Sequence, residues 1–154
     1  MLSAGITARL VTRFGPRRVL LPGLVLLLAG LALLAQVDEH TAYAPLILVA
    51  FLTVGLGAGT AFMPLLQIAM ADVPPADAGL ASGIVNVSMQ IAGAIGLAIL
   101  ATVSTRRAAT LVAAGHSQAS ALTGGYSLAF WIGAASVAAG LVVAASVLGR
   151  APRR

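Results

Sequence analysis

Residues 79–105, GLASGIVNVSMQIAGAIGLAILATVST, run for 27 residues without a charge and carry Asn86 and Gln90 near the middle. That length is enough to cross a bilayer. In hydrocarbon, two amides are costly unless they face other helices or a water-filled path. On a helix, Gly79, Gly83, Asn86, Gln90 and Gly93 fall within roughly 40° of one line at about 100° per residue. One face is therefore small and polar, and the others are Ile, Val, Leu, Ala and Met. The pattern predicts a membrane helix packed closely against protein on its small face and open to lipid elsewhere.

Three further apolar runs, 19–37, 42–71 and 126–149, complete the chain. Runs of this length read as spanning helices. The chain is 60% hydrophobic and 8% charged, against about 25% charged in a soluble domain. The predicted fold is all-α: a polytopic membrane protein with four transmembrane helices over 19–149. A basic cytoplasmic loop (1–18) and a basic tail (150–154) flank it. The basic start followed by an apolar run resembles a signal peptide, but the run is too long, Pro22 and Gly23 interrupt it, and three more spans follow.

The net charge is +5, from nine Arg against three Asp and one Glu, with no Lys. No soluble domain is present to offer a basic face to nucleic acid, and the Arg residues edge the apolar runs, which suits topology and headgroup contact. With four spans, Arg9, Arg13, Arg17, Arg18, Arg150, Arg153 and Arg154 share one side, and only Arg106 and Arg107 lie on the other. That bias places both termini in the cytoplasm. The residue usage suggests a GC-rich bacterial source, hence the bacterial cytoplasmic membrane.

Within 42–71, Gly55 and Gly59 form a small-xxx-small pair that permits close helix approach, and Pro64 predicts a kink. Thirty residues exceed the bilayer core, so tilt, bending or overhang is expected. In the turn 72–79, Pro74 and Pro75 stop one helix and Asp77 is placed to cap the next. Residues 108–122 are expected to form a short interfacial helix ended by Gly124 and Gly125. Tyr126 and Trp131 would lie at the headgroup zone.

No catalytic constellation is present: no His-Glu-x-x-His, no nucleophile elbow, no phosphate-binding glycine loop. Without Cys there are no thiolate metal sites, and no metal or cofactor is expected. The chain does not read as an enzyme. The acids all lie in turns, so a proton carrier, if one is needed, lies elsewhere.

The stretch VPPADAGLASGIVNVSMQIAGAIGLAIL resembles the penultimate helix of the fourteen-span drug:proton antiporters of the major facilitator superfamily. Pro74, Pro75, Gly79, Ala81, Ser82, Gly83, Asn86, Gln90, Gly93, Ala94 and Gly96 match that pattern, and Met89 stands where many relatives carry Arg. Residues 8–18 are similar to the superfamily's basic loop motif, with Arg13, Gly15 and Arg17 fitting and Ala8 and Thr12 departing from its usual Gly and Asp. The resemblance implies spans eleven to fourteen of fourteen in a major-facilitator-type bundle, with residues 1–8 ending span ten. It implies export of small amphipathic substrates by proton antiport, with Asn86 and Gln90 as candidates for the transport path and Arg13, Gly15 and Arg17 as candidates for a conformational latch. Gly55, Gly59, Gly79, Gly83 and Gly93 remain helix-packing candidates. Four helices cannot form both walls of such a site. The expected partners are therefore the bilayer, the missing N-terminal half or another copy, and the substrate. The chain is expected to be inactive alone. A small membrane scaffold or assembly subunit is the alternative, and a homo-oligomeric pore is disfavoured because no span carries a continuous polar stripe.

Overall fold

The computed structural model describes residues 12–13, 15–37 and 46–149, without the side chains of Arg17 and 147–149. Four helices dominate: α1 (Pro16–Ala35), α2 (Leu48–Ala69), α3 (Ala78–Ala113) and α4 (Gln118–Gly149). All four are long and apolar enough to cross a membrane. A short 3-10 turn, Pro75–Asp77, leads into α3. No strand occurs among the described residues.

Helix α1 begins where Gly15, at φ 82° and ψ 155°, hands over to Pro16 at the first helical position. That backbone region is essentially glycine-only, and Pro is preorganised for a first turn. Helix α1 packs against both α2 and α4, and α4 packs against α3. The α1–α2 contact is a glycine seam. A Cβ on Gly57 would lie 2.3 Å from the Leu27 backbone N, one on Gly23 would lie 2.8 Å from Ala61 N, and one on Gly30 would lie 2.7 Å from Val54 N. Ascending numbers in α1 meet descending numbers in α2, so the pair is antiparallel. Lipid tails are as apolar as Leu, so helices associate in membranes through close backbone approach, which only small residues allow. Ala50, Ala61 and the fully buried Pro64 complete α2's inner side.

The second hairpin is also set by glycine. A Cβ on Gly125 would meet the Ser104 carbonyl oxygen at 2.6 Å, and one on Gly124 would meet Leu111 Cδ1 at 2.7 Å. The Ser127 hydroxyl donates to the Ala35 carbonyl, tying α4 to a carbonyl in the last turn of α1, where intrahelical donors run out.

Three expectations are corrected. The close approach uses Gly57 and Ala61, and Gly55 has nothing within 4 Å. Two residues turn a helix by about 200°, so Gly55 lies away from the face that meets α1. Residues 108–122 are not a separate interfacial helix. Residues 108–113 extend α3, Gly115 at φ 88° breaks it, and α4 starts at Gln118 with Gly124 and Gly125 inside it. The break is a Schellman motif, with Gly115 N donating to Val112 O (3.0 Å) and His116 N to Leu111 O (3.1 Å). Ser117 Oγ then accepts from Ser120 N at 3.2 Å, an N-cap contact. Asp77 occupies the position before α3 but makes no capping hydrogen bond through its side chain. Its backbone is already helical, at φ −102° and ψ 0°, which turns the carboxylate away from the N–H groups it would need to reach.

Candidate functional site

All four helices alternate in direction, so the start of α1, the end of α2 and the start of α3 share one end of the bundle. At that end the α2–α3 turn presents Asp72 and Asp77, both exposed. Of the latch candidates, Arg13 is helical and exposed, and Gly15 is the turn residue described above. The side chain of Arg17 lies outside the described residues.

Helix α3 has 36 residues, about 54 Å, which exceeds the hydrocarbon core by several turns. At about 100° per residue, Leu97, Ala101, Ser104 and Ala108 continue the line of Gly79, Gly83, Asn86, Gln90 and Gly93. One face therefore runs the whole length of α3. Its far end is covered by α4: Ala108 is buried, and Ser104 lies under Gly125, whereas Leu97 and Ala101 are exposed. Its first half is open. Asn86 and Gln90 are exposed, and nothing lies within 4 Å of the Cβ positions of Gly79, Gly83, Gly93 or Gly96 among the described residues.

Close packing of Gly79, Gly83 and Gly93 is thus not met among the described residues, where no helix reaches that face. Helix α2 lies to one side of it, where Phe62, Leu65, Leu66 and Ala69 meet Val85 and Met89 around a crevice of about 70 Å³. Met89, the position of Arg in many relatives of the resemblance, therefore belongs to an apolar contact with α2. Gly59 is half-buried.

The sequence alone gives no packing role to Gly23, Gly30, Gly124, Gly125 or Ser127, which with Gly57 hold the helices that position α3. The seven-residue spacing of Gly23 and Gly30 and the four-residue spacing of Gly57 and Ala61 were the available signals. No cluster of three or more His, Cys, Asp or Glu that could hold a metal is found among the described residues. The open face offers hydrogen bonds through two neutral amides and close approach through three glycines. It suits recognition of polar groups on a small molecule, or contact with another helix, rather than bond-breaking chemistry.

A family model described as Major Facilitator Superfamily matches residues 1–154. The puromycin resistance protein of Streptomyces alboniger is 40% identical over 133 residues, covering 82% of this chain and 26% of that protein. The multidrug resistance protein Stp of Mycobacterium tuberculosis is 38% identical over 98 residues, covering 64% and 18%. The drug efflux pump JefA of the same species is 34% identical over 98 residues, covering 64% and 19%. The chain thus spans 18–26% of the length of these relatives. No solved structure matches.

Proposed function

The chain belongs to the Major Facilitator Superfamily, and on that footing we propose that it forms the C-terminal part of a secondary active transporter that exports small, drug-like compounds by proton antiport. It is a multi-pass bacterial membrane protein, as its drug-efflux relatives are. The observation that carries the proposal is the open half of α3, where Asn86 and Gln90 stand exposed on a glycine-lined face. An amide exposed to hydrocarbon is unfavourable, so this face belongs against further helices or a water-filled path. Transporters of this kind bind substrate near the midplane, between halves that move against each other. This chain supplies one wall.

The other wall comes from an N-terminal half, and both termini of this chain face the cytoplasm. The acids Asp72 and Asp77 lie in a turn, so the proton-carrying group belongs to that other half. Arg13, Gly15 and Arg17 act at the cytoplasmic end as the latch of one conformation.

The test uses the complete transporter in a drug-sensitive host. Asn86→Ala and Gln90→Leu are expected to change the range of compounds exported, or their rate, while the protein stays in the membrane fraction. Loss of both variants from the membrane would make the amides packing groups instead. Resistance conferred by residues 1–154 alone would overturn the need for a second half.

A further inference from the structure

The turn between α3 and α4 lies at the end of the bundle opposite Asp72 and Asp77, and a shallow depression sits beside it on the outer flank of this helix pair. Arg107 of α3 and Gly124, Ser127, Leu128 and Trp131 of α4 line about 420 Å³ there. We propose that this depression binds an anionic glycerophospholipid, with its phosphate on Arg107 and its ester region on Trp131. The inference rests on the chain being membrane-embedded and is independent of transport.

Depth supports the assignment. Counting about 20 residues back from Arg150, the length that crosses the hydrocarbon core, ends near residue 130. Trp131 therefore stands at the hydrocarbon boundary, the layer that indole rings favour. Gly124 meets Leu111, and Gly125 meets Ser104, so Arg107 lies level with the Gly124–Gly125 pair. Trp131 is six residues further into the bilayer, about 9 Å along the helix axis. A cation one headgroup above an interfacial indole matches the layering of a phospholipid, whose phosphate sits outside its ester carbonyls.

The chemistry agrees. Arg107 and Trp131 are both exposed, and the guanidinium offers forked donors suited to phosphate. The indole N–H can donate to an ester carbonyl. The Ser127 proton is committed to the Ala35 carbonyl, leaving its oxygen as an acceptor for a headgroup hydroxyl. Gly124 removes side-chain bulk beneath the guanidinium, and Leu128 gives the first acyl carbons an apolar wall. Asp72 and Asp77 are at the far end of α3: Asp77 precedes Arg107 by 30 residues, about 45 Å. Neither can reach the site.

Trp131 is the single tryptophan of residues 1–154, so with any tryptophans in the rest of the transporter replaced by phenylalanine its fluorescence reports the site directly. The protein is reconstituted into phosphatidylcholine vesicles that carry bromine-labelled phosphatidylglycerol or, at the same mole fraction, bromine-labelled phosphatidylcholine. The labelled phosphatidylglycerol is expected to occupy the site about fivefold more readily, the scale of one basic residue's attraction to an anionic headgroup. Arg107→Gln is expected to abolish that preference, and Arg107→Lys to keep most of it. Arg106→Gln, whose residue does not line the depression, is expected to leave the preference intact. Equal quenching by the two lipids in the unaltered protein overturns the proposal. So does an equal loss in the Arg106 and Arg107 variants, which would indicate diffuse surface charge. Loss of the preference on adding millimolar inorganic phosphate would assign the depression to a soluble anion, and that also overturns it.

Discussion

The glycines of the α1–α2 seam and those of the first half of α3 have opposite surroundings. Added methyls at Gly23, Gly30 and Gly57 would each meet backbone within 3 Å, whereas at Gly79, Gly83 and Gly93 they would meet nothing within 4 Å among the described residues. Both sets sit in long apolar helices, and both arise from spacings that favour close approach. The lesson is that small-residue spacing identifies a face that another helix can approach, without identifying which helix approaches it. In α1 and α2 the partner lies within this chain. In α3 the same device is presented outward, with Asn86 and Gln90 among the glycines.

The sharpest way to break that contrast is to enlarge one glycine of each kind. Gly57→Val places branched carbons against the Leu27 backbone. It is expected to cost about 3 kcal/mol, the upper part of the usual range for overpacking, read as loss of folded protein on heating in mild detergent. Gly125→Ala forces a methyl against the Ser104 carbonyl and is expected to cost about 1–3 kcal/mol in the same assay. Ser127→Ala, which leaves the Ala35 carbonyl without its donor, is expected to cost about 1 kcal/mol. At the bottom of the scale, Gly83→Ala has room for its methyl and gains helix propensity. Within this chain alone its effect is expected to be within about 1 kcal/mol and of stabilising sign. If Gly83→Ala proved as harmful as Gly57→Val in the isolated chain, the contrast would fail.

Much of this architecture was legible before any coordinates. Four uncharged runs, too long for soluble core helices, dictated four helices in alternating directions. The ends were less legible, because hydrophobicity marks the depth of hydrocarbon rather than the length of a helix. Beyond Thr105, α3 continues through Arg106 and an Ala-rich segment for as long as its backbone hydrogen bonds can propagate, and it stops where Gly115 takes a positive φ. Gly124 and Gly125 were read as breakers because glycine weakens an isolated helix. In contact with Ser104 and Leu111 they are what lets α4 dock. The polar face of α3 was visible from its period. Its division into a covered half and an open half was not, because a period fixes a direction around the axis and carries no information about what lies there. The Gly55–Gly59 spacing likewise carried no information about which face meets α1, and the contact falls on Gly57, about 200° around the helix from Gly55.

The account's central claim is that the open half of α3 borders water or substrate in the complete transporter, while the opposite side of that helix borders lipid. Residues 1–154 contain no cysteine, so with any cysteines in the rest of the transporter replaced by serine, single thiols can be placed cleanly. Asn86→Cys and Gln90→Cys in the complete transporter are expected to react with a water-soluble thiol reagent and to be protected by exported drug. Ile91→Cys, on the far side of α3, is expected to stay unreactive. Reaction at Ile91→Cys equal to that at Asn86→Cys, or silence at both amide positions, would contradict the account.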